Sequence, residues 1–152
     1  MGPETHDGFR TLLDGVFGCS PYLTGLAMKE TDVVLSLATR SPEEVFATIL
    51  DELRAPVTAV QSNRVAAPEL RRAKRRAALL IGLADLSGAW RLEQVTSALT
   101  DLADAAVHRG LGVLLRQSAE KGDIEIPEGD DPAETCGVVA IAMGKMGAFE
   151  LN

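Results

Sequence analysis

The stretch SPEEVFATILDEL, residues 41–53, decides the fold class of this 152-residue chain. Ser41 is a side chain that caps helices, Pro42 suits the first helical turn, and two acids follow where the helix dipole is positive. Apolar residues then recur at helical spacing, and they are Val45, Phe46, Ile49, Leu50 and Leu53. The stretch therefore predicts an amphipathic α-helix that Pro56 ends.

Similar signals predict three short helices on the N-terminal side of this stretch. The first carries an apolar stripe over residues 9–17 and stops at Gly18. The second starts at the Ser20-Pro21 pair, which has the order of a cap and a first-turn proline. Asp32 is the candidate cap of a third helix that runs through Leu37.

Two longer helices are predicted on the C-terminal side. Pro68-Glu69 opens one of them, and a break over residues 85–90 with Gly88 as its hinge ends it. We expect Trp90 to fill the joint between the two helices. The next helix is predicted to be the longest, with a stripe from Leu92 to Val113.

Composition and charge narrow the class of protein. The chain is 46% hydrophobic, 24% charged and only 4% aromatic, which favours a globular helical protein with an aliphatic core. Its net charge of −7 argues against a nucleic-acid partner, because binding phosphates requires a cationic surface. The apolar runs at 77–84 and 137–143 are too short to cross a bilayer. Cys19 and Cys136 match no zinc or redox spacing, so we expect reduced thiols in a cytoplasmic protein.

The composition changes over residues 120–134, which hold seven acids and one base, a net charge of −6. Pro127, Gly129 and Pro132 in the same stretch argue against regular structure. We therefore predict a helical domain over 1–118, an exposed acidic linker over 119–135 and the start of a second domain over 136–152. Within the linker, Asp130 and Asp131 are predicted to be solvated.

The second domain is predicted to begin with a buried strand. Residues 136–143, CGVVAIAM, form a short run of β-branched and small apolar side chains bounded by glycines. A buried strand needs neighbours for its backbone groups, and the preceding helices supply none. We therefore expect that the sequence stops just after this domain begins.

The turn that follows, Gly144-Lys145-Met146-Gly147, leaves two readings open. It fails the phosphate-loop spacing and the dinucleotide fingerprint. What remains is a lysine flanked by glycines, which let backbone N–H groups approach an anion. The alternative is a tight turn that only reverses the chain.

Residues 139–152, VAIAMGKMGAFELN, resemble the segment that opens the nucleotidyltransferase domain in the glutamine synthetase adenylyltransferase and adenylyl-removing family. The positions that match the family pattern are Gly144, Lys145, Gly147, Glu150, Leu151 and Asn152. Met146 replaces a leucine of that pattern, and Ala142 replaces its first glycine. Residues 17–23, 70–76 and 84–88 resemble the N-terminal half of the same family.

The resemblance implies a mainly α fold, in which a helical domain precedes the first strand and turn of a truncated α+β nucleotidyltransferase domain of the DNA polymerase β type. It implies nucleotidyl transfer to a protein tyrosine and its phosphorolytic reversal, with ATP or phosphate and Mg²⁺. The implied partners are glutamine synthetase and a nitrogen-signalling regulatory protein. Gly144 and Gly147 would line the nucleotide phosphates with Lys145 nearby.

The same resemblance assigns no catalytic residue and no metal ligand to this chain. The family's paired carboxylates lie on a later strand, and the sequence ends at Asn152 before any such pair. Magnesium in nucleotidyl transfer is held by carboxylates and phosphate oxygens. We therefore expect the chain alone to be inactive. The match is to the first of the family's two catalytic domains, which removes AMP from glutamine synthetase.

Two further features leave alternatives open. Five of the six residues from Arg71 to Arg76 are basic, and they surround the helix. They are a solvated helix start, or they pair with the acidic linker or with a catalytic domain, or they contact phosphate. His108 is predicted to be an ordinary surface or half-buried histidine. The rival function is a stand-alone helical interaction module that uses the Leu92–Val113 stripe and packs residues 137–143 on its own helices.

Overall fold

The computed structural model describes residues 3–57, 63–126 and 130–151, and all regular structure in these residues is helical. The helices are α1 (Pro3–Cys19), α2 (Pro21–Lys29), α3 (Thr31–Leu37), α4 (Pro42–Arg54), α5 (Asn63–Leu86), α6 (Leu92–Glu120) and α7 (Pro132–Thr135). The prediction of a mainly α protein is confirmed. None of these helices combines the length and the apolar character that crossing a membrane requires.

The helix starts that rest on local chemistry are confirmed. The Ser20 side chain accepts a hydrogen bond from the backbone N–H of Leu23 at 3.3 Å, and Pro21 follows it in the first turn. Ser41 and Glu44 form a reciprocal capping box, with bonds of 3.2 and 3.1 Å. This box satisfies two backbone N–H groups that the first turn of a helix leaves without partners.

Two predicted helix starts are wrong. Asp32 lies inside the first turn of α3, and the cap position belongs to Glu30. α5 begins at Asn63, so that Pro68 lies inside the helix. The extra turn buries Ala66 against Val57 and Val113 in a small apolar cluster. Proline removes only one backbone hydrogen bond so near the start of a helix, and this burial offsets that loss.

The core lies where α4, α5 and α6 pack against one another, with α2 and α3 against α5. Ile49, Leu79 and Leu80 are fully buried there. The break after α5 is confirmed, and Gly88 adopts a φ of +70° in it. Trp90 is buried in this break and packs on α4. Its ring meets Phe46 edge-on at 5.8 Å between centroids.

The predicted linker is wrong at both of its ends. α6 continues through Glu120, and α7 packs against α6 instead of standing in solvent. Pro132 is fully buried in this contact. The acidic residues around Pro132 therefore do not prevent α7 from packing on α6, because Pro132 supplies the apolar contact. The predicted linker residues 127–129 lie outside the described residues.

The buried strand predicted over residues 136–143 is not observed, because no strand pairing forms in the described chain. Val139, Ile141 and Met143 are each about four-fifths exposed, at 78, 81 and 82%. A strand is held by N–H and C=O groups of a neighbour, and the described residues offer no other extended segment for it. Cys19 and Cys136 are both free thiols, as predicted.

Candidate functional site

The turn predicted to approach phosphate is a closed backbone loop over residues 144–150. The backbone N–H of Ala148 donates to the Gly144 carbonyl at 3.0 Å, and that of Glu150 donates to the Lys145 carbonyl at 2.8 Å. Gly144 has a φ of +62°, a conformation that favours glycine. The sequence therefore forms a turn at the predicted place, and Lys145 lies on its exposed side.

Gly147 is required by a close contact within the chain. A Cβ added to Gly147 would lie 2.7 Å from the backbone carbonyl oxygen of Ala142. No side chain fits at that distance, because the obstacle is backbone and not the end of a flexible side chain. Both glycines thus have a conformational role, which a tight turn and a phosphate-binding turn equally require. Asn152, the last residue of the matched pattern, lies outside the described residues.

No group of three or more acids, histidines or cysteines in the described chain is arranged to hold a metal ion. The acidic pair that precedes the turn takes part in a different arrangement. Asp131 was predicted to be solvated, but its side chain is only 9% exposed. One carboxylate oxygen accepts from the backbone N–H of Ala133 at 3.0 Å, and the other lies 3.4 Å from Nε2 of His108. The Asp131 prediction is wrong because the side chain caps α7.

Arg116 joins this helix cap to the rest of the molecule. Its Nε donates to the backbone carbonyl of Val57 at 3.0 Å, and its guanidinium also donates to the carbonyl of Asp130. Gly112, one turn earlier, leaves the space that Val57 occupies, since a Cβ there would lie 3.1 Å from a Val57 methyl carbon. We call this contact, formed by Asp131, Pro132, His108 and Arg116, the α6–α7 joint. It fixes the chain at Pro132, twelve residues before the loop begins at Gly144.

The arginines of α5 pair with acids that the sequence analysis did not identify. Glu30 is 2% exposed, and its carboxylate accepts from Nε of Arg75 at 2.6 Å and lies 3.5 Å from Nε of Arg72. Arg76 lies 3.4 Å from Asp32 and also pairs with Glu52. Pairing with the acidic stretch at 120–134, one of the alternatives left open, is not seen among the described residues, where these arginines pair with Glu30, Asp32 and Glu52. The position of Glu30 between two short helices was the only local signal for this role.

The fold shifts the pKa of the Glu43 carboxyl. The backbone N–H of Glu43 itself, the Trp90 indole and the Ser41 hydroxyl lower the pKa of the Glu43 carboxyl, against an opposing effect of burial. The indole N–H of Trp90 donates to this carboxylate at 2.6 Å. Glu43 thereby ties the start of α4 to the start of α6.

Comparison with known proteins identifies the chain by sequence. A family profile described as glutamate-ammonia ligase adenylyltransferase matches residues 11–152. A relative from Rhodopseudomonas palustris (strain HaA2), named bifunctional glutamine synthetase adenylyltransferase/adenylyl-removing enzyme, is 43% identical over 143 residues, covering 94% of this chain and 14% of the relative. A protein of the same name from Bradyrhizobium sp. (strain BTAi1) is 41% identical with the same coverage.

A third relative of that name, from Rhodopseudomonas palustris (strain CGA009), is 41% identical. The match covers the whole of this chain and 16% of the length of the relative. The chain thus spans about one-seventh of the length of the relatives it matches. No solved structure shows significant similarity. Because the family profile covers nearly the whole sequence, the chain belongs to the glutamate-ammonia ligase adenylyltransferase family.

Proposed function

We propose that this chain supplies the helical domain and the nucleotide-phosphate turn of an enzyme that adds AMP to glutamine synthetase and removes it. Within that enzyme the chain belongs to the adenylyl-removing half. The name of the relatives describes this pair of activities. The observation that carries the proposal is the glycine-dependent loop at 144–150, which occupies the end of the family match.

The chemistry assigned to the loop is binding of phosphate oxygens. Gly144 and Gly147 allow a backbone path without side chains, and Lys145 adds a positive charge. Phosphorolytic removal of AMP requires inorganic phosphate and Mg²⁺, and the metal would be held by carboxylates of the wider catalytic domain. No residue of this chain is assigned to the metal or to proton transfer.

We also propose that residues 138–143 form a strand when neighbouring strands of a nucleotidyltransferase domain are present. Their exposed side chains Val139, Ile141 and Met143 are those that such a sheet would bury. The exposure speaks against the stand-alone module, for which we expected this segment to pack on the helices of the chain. The partners proposed for the complete enzyme are glutamine synthetase and a nitrogen-signalling regulatory protein, in the cytoplasm.

The test places this chain in a complete enzyme. The corresponding segment of the relative from strain HaA2 is replaced by residues 10–152, and AMP release from adenylylated glutamine synthetase is measured with phosphate and Mg²⁺. Gly147→Ala is expected to lower AMP release by at least roughly a hundredfold, since misplacing a phosphate-positioning loop by about 1 Å has effects of that order. Lys145→Gln is expected to raise the KM for phosphate.

The matched control is Gly25→Ala, which changes an exposed glycine inside α2 that has open space around it and no positive φ. This control is expected to keep activity within about twofold, since surface changes away from special features have small effects. Equal activity of the Gly147→Ala and Gly25→Ala enzymes would contradict the proposal. The isolated 152-residue chain is expected to release no AMP.

A further inference from the structure

A long apolar groove runs along α5 where it faces α6. One part of it, of about 780 Å³, lies among α1, α2, α5 and α6, and another, of about 360 Å³, lies between Leu70 and Ala106. Leu99 lines both parts, so the two are continuous. Most of the lining is aliphatic, and Leu86 at one end is 60% exposed. We call this surface the α5–α6 groove.

The dimensions of the α5–α6 groove fit a helix. On α5 it extends from Leu70 to Leu86, which at the rise of an α-helix is about 24 Å. A partner helix of four to five turns has that length, and apolar grooves of this kind bind the apolar face of an amphipathic helix. An isolated exposed leucine would need no explanation, but a continuous apolar surface of this length indicates an interaction site.

The α5–α6 groove has basic side chains at one end and an acidic side chain at the other. Arg71 and Lys74 line one end, both are exposed, and neither has an ion pair among residues 3–57, 63–126 and 130–151. Asp85 lines the opposite end. Arg72, Arg75 and Arg76 pair instead with Glu30, Asp32 and Glu52, none of which lines the groove. The basic cluster of the sequence is therefore divided into a paired side and an unpaired side.

This division identifies the chemistry of the partner. A basic end and an acidic end on one apolar groove complement a helix that carries acids at one end and bases at the other. Asp130 and Asp131 do not fill this role, because the α6–α7 joint holds them against α6. The partner must therefore be an amphipathic segment with acids at one end, supplied by another polypeptide region.

We propose that the α5–α6 groove binds an amphipathic α-helix whose acidic end lies over Arg71 and Lys74. The helix contributes leucine-sized side chains to the groove, and its acids pair with the two bases at the rim. This inference does not depend on the nucleotide-binding role of residues 144–147. It assigns a function to Arg71 and Lys74, which form no ion pair with the part of the chain that the structure describes.

The experiment uses two fluorescent synthetic helices of about 18 residues with the same leucine face. One carries glutamates in its first two turns, and the other carries lysines there. Binding to the 152-residue chain is measured by fluorescence anisotropy. At about 50 mM salt we expect the acidic probe to bind roughly tenfold more tightly, and the difference to shrink at about 0.5 M salt because rim charges are screened.

The variants separate charge from apolar contact. R71E/K74E is expected to reverse the preference between the two probes, whereas R54E/K121E makes the same change in net charge at exposed sites outside the groove and is expected to leave the preference unchanged. Leu86→Ser is expected to weaken both probes. Equal binding of the two probes, or equal effects of the two double variants, would overturn the proposal. A concentration-dependent dimer that Leu86→Ser dissociates would also overturn it, because a second copy would then occupy the groove.

Discussion

Replacing Arg75 by leucine should destabilise the protein far more than the same replacement at Arg71. Both side chains lie on α5, both changes remove one positive charge, and arginine and leucine have nearly equal helix propensity. The difference is Glu30, which is 2% exposed and accepts from Arg75 at 2.6 Å. Without Arg75, this buried carboxylate keeps only the more distant Arg72, at 3.5 Å.

The magnitude follows from the burial of the two partners. Removing one partner of a fully buried ion pair costs about 3–5 kcal/mol. Arg75 itself is 39% exposed and Arg72 remains, so water and the second guanidinium compensate part of the loss. We expect Arg75→Leu to lower the free energy of unfolding by about 2 kcal/mol and Arg71→Leu to change it by no more than about 0.5 kcal/mol.

The assay is urea unfolding followed by far-UV circular dichroism, with thermal unfolding as a second measurement. A loss of about 2 kcal/mol corresponds to a fall in Tm of roughly 4–8 °C for a protein of this size. In the double-mutant cycle of Glu30→Gln with Arg75→Leu, we expect a coupling energy of about 1 kcal/mol or more. If Arg71→Leu and Arg75→Leu cost the same, or the cycle shows no coupling, Glu30 and Arg75 do not form the buried pair described above.

Three further predictions follow from single contacts. Trp90→Phe keeps the apolar ring but removes the donor to Glu43, and it should cost about 1 kcal/mol in urea unfolding. The pKa of the Glu43 carboxyl is lowered in the folded state, so the stability that this carboxylate contributes is present above its unfolded pKa and is lost as the pH falls through its folded pKa. The destabilisation caused by Trp90→Phe should therefore diminish in acid. A constant destabilisation down to about pH 2 would contradict this. Ser41→Ala removes half of the capping box and should cost about 1 kcal/mol, whereas Ser41→Asp should restore most of it. Gly147→Ala should open the turn beside Ala142, measured as loss of amide protection in residues 148–150, and unchanged exchange would refute the contact.

The parts of the fold that the sequence predicted are those set by neighbouring residues. The caps at Ser20 and Ser41 act on backbone groups three residues away, so their chemistry is visible in a short stretch. The start of α5 was missed because it depends on burial of Ala66 against residues from two other segments. Local signals at Pro68 indicated a boundary, and tertiary packing moved it by one turn.

The candidate site divides in the same way. The loop at Gly144–Gly147 was predicted from its glycines, since a positive φ and a close backbone contact are properties of the local chain. The strand predicted before it is not observed in this chain, because a strand is defined by pairing with a neighbour, whatever its own composition. The burial of Asp131 was missed because His108 and Arg116 are distant in sequence, and only the packing of α6 brings them to it.

The α6–α7 joint limits how far the candidate loop can travel. Eight residues lie between Thr135, the last residue of α7, and Gly144, so nine Cα–Cα steps join the two. A fully extended chain of that length spans at most about 30 Å. Because the joint holds α7 on the last turns of α6, the first residue of the loop, Gly144, stays within that distance of Thr135. A phosphate bound by the loop would therefore lie near this end of α6.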